Sequence, residues 1–313
     1  MRRAELGFFT LFVTAPVFAQ VGAPWLGYVP DGGRLRPVFG IPASATVAGA
    51  IDSGVSLARL VVSPQQDYAL GVDAESGRVM LLAGSGAARA IEGAGLNPDR
   101  VVLSPRGAAA VVWVNATNRG QVLAGFPAAA GVAREIDASF LKAAPDALAV
   151  SDDGRWVAGA WEDGVYLFAA GGQVSRLPLD GRARALAFYH NRADLLAATE
   201  NRVIAIADVG GRALASEILN SGDSTWSPIA TAVSFDNRRV VVLDASGAVL
   251  TVELSSGAVT RATCDCAPEG LFAMGPYVFR LTGIRDGAFK LFDVRTGEVW
   301  FAPIAASQEG EAH

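Results

Sequence analysis

The sequence predicts an all-β chain folded as a propeller of four-stranded blades, and three observations carry that prediction. First, residues 147–179 hold one complete unit. Apolar 147–150 runs into the turn Ser151-Asp152-Asp153-Gly154, strand 156–161 into Glu162-Asp163-Gly164, and strands 165–169 and 173–179 meet at Gly171-Gly172. Asp-Gly tolerates the positive φ of a two-residue hairpin, so these are short strands joined by tight turns. Second, the unit recurs. Ser63-Pro64 precedes an apolar stretch at 68–72, Ser104-Pro105-Arg106-Gly107 one at 108–114, and Ser234-Phe235-Asp236-Asn237 one at 239–243. The anchors Ser63, Ser104, Ser151, Tyr189, Ser234 and Met274 are spaced by about 38 to 47 residues, the length of one blade. Third, no stretch shows the 3.6-residue apolar period that helical repeats of this length require.

Taken from its start, the chain opens like an export signal. Arg2 and Arg3 form a basic end, 6–17 an apolar core too short for a stop-transfer helix, and Val17-Phe18-Ala19 a small-residue cleavage site before Gln20. The expectation is a signal peptide at 1–19, one propeller domain over 20–306, a polar unpacked tail at 307–313, and a periplasmic or secreted location. Residues 25–41 read as two strands, 26–29 and 35–39, about Asp31-Gly32-Gly33, matching the second half of a unit. Residues 42–54 read as a polar connection. Six complete units follow at 57–97, 98–145, 146–181, 182–226, 227–267 and 268–304. A ring of sheets has to close, because an open array leaves unpaired edges and bare apolar faces. The half unit is therefore a truncated seventh blade or a partner of the C-terminal sheet. Seven blades is the preferred count, with six and eight as alternatives.

Composition narrows the function. With 51% hydrophobic and 18% charged residues, burial is extensive. A formal net charge of −5 argues against nucleic acid or an anionic membrane as main partner, since both need basic footprints. No second apolar run is long enough for stable membrane insertion.

The Ser-Pro-x-Gly and Ser-Asp-Asp-Gly turns, each followed by a strand such as WVAGA or AAVVW, resemble the repeats of exported bacterial TolB-type and YVTN-type propellers. The likeness covers most of the chain and is architectural. His190-Asn191 replaces the turn signature in the fourth unit, Met274-Gly275-Pro276 shortens it in the sixth, and the Trp-Asp ending of WD40 blades is absent.

Candidate sites are few. His190 and His313 are the only histidines, which rules out a zinc site built from several His ligands. His190 reads as a turn or surface residue at the end of its blade opposite the usual propeller site. No Gly-x-Ser-x-Gly elbow is present, and no catalytic residue is assigned. Cys264 and Cys266 are expected to form a small structural disulfide at a blade junction, with free thiols and redox or metal duty as alternatives. The most suggestive pattern is an acid at the turn between the second and third strands of five units: Asp73 and Glu75, Glu162 and Asp163, Glu200, Asp244, and Asp286. Asn115 and Asn118 stand there in the second complete unit. Gathered around the channel mouth, these acids would attract cations or a basic partner; alternatively they are what such turns require. Arg182 and Arg184 enter the same face and pair with them in that second reading. No cofactor is expected; calcium is the one possibility, and it would need six to eight oxygens brought together, which spacing along a repeat does not supply. Trp161 and Trp226 are candidates for exposed partner contacts and Trp113 and Trp156 for the core, with core or inter-blade packing the favoured reading of all four. The favoured function is a non-catalytic scaffold for a protein or a small extracytoplasmic ligand. The alternative is a propeller enzyme, a lactonase-like hydrolase or lyase, using a metal and a central carboxylate cluster.

Overall fold

The computed structural model describes residues 24–84, 87–222 and 226–305; the expected signal peptide and polar tail lie outside the described residues. Seven antiparallel sheets follow one another along the chain, six of four strands and one of three. With the three-stranded sheet as blade 1, the six complete blades, 2 to 7 in chain order, run their strands from inside outward, and the inner strands are Leu57–Val62, Arg100–Leu103, Ala147–Val150, Ala183–Phe188, Pro228–Val233 and Phe272–Ala273. The protein is thus a seven-bladed all-β propeller, and the sequence boundaries of all six complete units agree with the sheets observed.

The repeated serine explains why the units look alike. Ser63, Ser104, Ser151 and Ser234 are fully or almost fully buried. In each case the backbone N–H of the serine donates to the carbonyl five residues on, and the hydroxyl oxygen accepts from the amide of that same residue. One side chain therefore closes the turn between inner and second strand from within. In blade 5, Tyr189 N donates to Asp194 O in the same manner without the hydroxyl. Second strands such as Tyr68–Asp73 and Trp156–Trp161 are buried along nearly their whole length, because both faces are covered by neighbouring blades.

Each of the seven junctions holds one apolar cluster. Leu35 meets Leu57 and Leu82 between blades 1 and 2, and Leu70 and Leu81 meet Val112 and Leu123 between blades 2 and 3. The circle closes where Phe289 and Leu291 of blade 7 pack on Val29 and Val38 of blade 1. The outer strands finish the closure: Val47 bridges Ile304 in parallel, and Ala305 N donates to Val47 O at 2.8 Å.

Blade 1 departs from expectation. Its strands are Trp25–Asp31, Arg34–Phe39 and Thr46–Val47, so the segment read as a polar connection carries a short 3-10 turn at Pro42–Ser44 and a third strand. The fully buried Val38–Val47 pairing was hidden because only two residues of that strand are involved. Its Gly32-Gly33 turn abuts Leu57 at the start of the inner strand of blade 2; a Cβ at Gly33 would strike the Leu57 carbonyl oxygen. That places the three strands at second, third and outer positions. Among the described residues blade 1 adds no strand to the inner ring, which has six members inside an outer ring of seven.

Candidate functional site

In a four-stranded meander the first and third turns leave one end of the sheet, and the second turn and the link to the next blade leave the other. At the first-turn end, adjacent blades are tied to one another. Gln65 Nε2 donates to Arg106 O at 3.0 Å, and the Tyr68 hydroxyl to Gly107 O at 2.5 Å. The Asp152 carboxylate accepts from Arg106 N at 2.7 Å on one side and Asn191 N at 2.8 Å on the other. Asn237 accepts from His190 N at 2.9 Å and donates back to His190 O at 3.0 Å. Phe235 N donates to Pro276 O, and Gly275 N to Pro64 O at 3.1 Å. These bonds run from blade 2 through blade 7 and back to blade 2, forming a girdle that passes blade 1 by.

Inside the girdle lies a cavity of about 580 Å³, within the range of small-molecule sites. Its wall is the last part of the six inner strands, including Val61, Val102, Leu148, Ala187, Ala232 and Phe272. Several of these, Val61, Val102, Ala187, Ala232 and Phe272 among them, are only half-buried, so the cavity presents apolar surface to solvent. At the girdle, Phe235 is 40% exposed, with the Arg106 guanidinium 4.8 Å from its ring centroid and the His190 ring 5.3 Å away.

His190 is not a surface residue. It is 9% exposed, and its Nε2 lies 3.2 Å from Val233 O, which places the ring proton on Nε2 and leaves Nδ1 as an acceptor. Nδ1 is buried and has no partner among the described residues. Burial pushes the imidazole below its ordinary pKa, and the Arg106 charge adds to that against the opposing pull of the Val233 carbonyl, Asp152 and Asp236. The ring is therefore neutral at pH 7. The expectation that His190 faces away from the site is corrected: the cavity is at its end of the ring.

The acids singled out from sequence all stand on second turns, at the other end of the blades and one strand out from the inner ring. None lines the cavity. Asp73 accepts from the Ser76 hydroxyl and from the amides of Glu75 and Ser76, bonds that lower its pKa, the Ser76 hydroxyl foremost. Asp244 is 4% exposed and accepts from Ser227 N and Ser246 N. Asp163 accepts from the Tyr166 hydroxyl at 2.7 Å. Asp286 occupies a left-handed position, φ 50°, in the hairpin before Gly287. Glu75 and Glu162 are exposed.

Glu200 pairs with Arg184 at 2.8 Å. Arg182 takes a different acid, Asp146, with two bonds of 2.6 and 2.7 Å that hold its carboxyl below the usual range. Arg59 and Arg100 reach the Asp99 and Asp146 carbonyls at the same end. This face therefore interleaves both signs of charge. Among the described residues no group of three or more His, Cys, Asp and Glu is disposed to hold a metal ion.

Cys264 and Cys266 are joined in a disulfide, with Cys264 in the apolar cluster between blades 6 and 7. Trp161, a candidate for a partner contact, instead packs in the core as the favoured reading had it: it is 3% exposed, and its Nε1 donates to Ala143 O at 2.7 Å. Trp226 is half-buried and donates to Thr199 O at 3.3 Å. Sequence reasoning missed Arg106 and Phe235 as cavity residues, although each sits beside a quoted turn serine.

The chain is a seven-bladed propeller with an apolar central cavity. No family model matches the chain, and no curated protein matches it. Among solved structures it is similar to a functionally unknown protein from Desulfotomaculum acetoxidans, with a TM-score of 0.59 at 12% identity over 88% of this chain and 94% of that one. It also aligns with the Cps50 (Swd1) β-propeller domain of Myceliophteria thermophila, with a TM-score of 0.48 at 11% identity over 69% of this chain and 68% of that one.

Proposed function

We propose that the protein is a non-catalytic, exported binding propeller whose central cavity holds a small ligand with a largely apolar body. The observation that carries this reading is the cavity itself: a concave, half-exposed apolar wall built from six separate blades, held at one end by a continuous hydrogen-bonded girdle. Exposed apolar surface of this kind marks a place where something binds. The lining also lacks the groups that the hydrolase or lyase alternative needs. Among the described residues it has no carboxylate, and its histidine donates through Nε2 to a backbone carbonyl. A protein partner at the second-turn face has less support, because Asp73, Asp163, Asp244 and Glu200 there are engaged in their own turns or in an ion pair.

Titration with the uncharged fluorophore N-phenyl-1-naphthylamine tests the reading. Saturable binding with one site per chain is expected, and it should be lost in Ala187→Phe and Ala232→Phe, which fill the cavity from two blades. Binding that ignores both substitutions, or that never saturates, would remove the proposal. Export rests on the basic, apolar and small-residue order of residues 2–19. Produced with its own N-terminus in a bacterial host, the chain should be recovered outside the cytoplasm with its first residue near Gln20. Recovery only in the cytoplasm with the N-terminus intact would contradict export.

A further inference from the structure

Among the described residues the cavity has one ionised side chain in its lining, and it is positive. Arg106 is half-buried. Its backbone is pinned on both sides, the N–H by Asp152 and the carbonyl by Gln65, so the root of the side chain is held in place. The guanidinium stacks on Phe235 and has no hydrogen-bond or ion-pair partner among the described residues. Other arginines without such a partner, such as Arg34, Arg78 and Arg261, are exposed, whereas half-buried ones such as Arg36, Arg182 and Arg239 pair with carboxylates and Arg100 bonds a carbonyl. Asp152 and Asp236, whose charges reach the neighbouring His190, do not fill the role. Asp152 receives the two backbone amides of the girdle, and Asp236 the Ser234 hydroxyl and Arg238 N. In a chain of net charge −5, a lone guanidinium beside an apolar wall favours an anion by charge complementarity.

We propose that the cavity takes an amphipathic monoanion, an alkyl or aryl body bearing one carboxylate, with the body against the apolar wall and the carboxylate on Arg106. This inference rests on the cavity reading above and deepens it. A guanidinium presents a planar fork that matches a carboxylate with two parallel bonds, and apolar surroundings strengthen such a pair relative to water. His190, neutral and with a free acceptor, adds no second positive charge, which limits the head group to one negative charge.

Calorimetric titration of the full chain with decanoate, 1-decanol and decyltrimethylammonium, each below its aggregation concentration, separates the possibilities. Decanoate is expected to bind about tenfold more tightly than decanol, with the cation weakest, in line with one charge-assisted pair. Arg106→Gln should bring decanoate to the level of decanol, and Arg106→Lys, which keeps the charge, should preserve the preference. Neither substitution touches the backbone bonds of Arg106, and an unchanged thermal midpoint confirms that each variant is folded. Equal binding of decanoate and decanol, or a preference that survives Arg106→Gln, overturns the anion inference while leaving the apolar cavity intact. If none of the three binds, the cavity reading and this inference fall together.

Discussion

Replacing Gln66 with alanine is expected to destabilise the propeller by about 2–4 kcal/mol, out of proportion to a residue in a surface turn. Blade 1 offers no inner strand among the described residues, so the edge of Trp25–Asp31 and the end of Phe272–Ala273 face each other across a gap. The Gln66 amide spans it. Its Oε1 accepts from Tyr28 N at 2.7 Å, and its Nε2 donates to Ala273 O at 2.8 Å and to Ser63 O at 3.1 Å. One side chain thus does for blades 1, 2 and 7 what a strand does elsewhere, and it is 4% exposed. Truncation takes this partner from the Tyr28 N–H and the Ala273 carbonyl, at about 1–3 kcal/mol for each group that water does not reach, while Ser63 O keeps its bond from the residue 66 amide.

A small series separates the causes. Gln66 has φ 64°, a conformation in which glycine is unstrained. Gln66→Gly should therefore be less harmful than Gln66→Ala by about 1 kcal/mol. Gln66→Glu keeps the acceptor but points negative charge at two carbonyl oxygens, and should cost as much as alanine. Gly27→Ala attacks the same contact from the other side, since a Cβ there would run into the Gln66 side chain. Urea denaturation measures all four. A Gln66→Ala midpoint within about 0.5 kcal/mol of the parent would show that the gap is held by something else.

This contact also marks where the sequence stops being readable. Four of the six complete blades were legible because the turn serine is a local device: hydroxyl, amide and carbonyl all lie within five residues, so the pattern repeats in the chain as it does in space. Gln66 has its partner 207 residues away, and nothing beside it in Ser63-Pro64-Gln65-Gln66-Asp67 distinguishes it from its neighbour Gln65. Blade 1 was half legible for a similar reason. Leu35 and Val38 show their burial within a strand of recognisable length, whereas Val47 is buried in a two-residue strand whose pairing depends on the far end of the chain.

The site was less legible than the fold. The acids at the second turns formed the clearest pattern in the sequence, yet residues such as Asp73 and Asp244 recur there because their carboxylates accept the amides of those same turns. The cavity has the opposite property. Its wall is made of ordinary Val, Leu and Ala at the ends of inner strands, and no single blade holds more than a sixth of the ring. Only the convergence of six strands makes it a site. Arg106 was quoted as part of a turn motif; its lack of a carboxylate partner is a fact of three dimensions.

Trp113→Ala is expected to cost about 3–5 kcal/mol, the range for a large aromatic removed from a core that relaxes only in part. Trp113 is fully buried between blades 3 and 4, edge-on to Trp161 with centroids 6.2 Å apart and 6.4 Å from Phe168. Each indole lies over a glycine. A Cβ at Gly120 would run into Trp113, and one at Gly159 into Trp161, so ring and glycine form one packing unit in each blade. Trp113→Phe should cost much less, about 1–2 kcal/mol. It keeps an aromatic face and removes an indole N–H that is buried without a partner among the described residues. Trp161→Ala should be severe as well, and the double variant less than additive, because the two rings share a cluster. Denaturation curves followed by circular dichroism, independent of tryptophan fluorescence, give the four values. If Trp113→Ala cost less than about 1.5 kcal/mol, or the two losses simply summed, the aromatic pair would not be what holds blades 3 and 4 together.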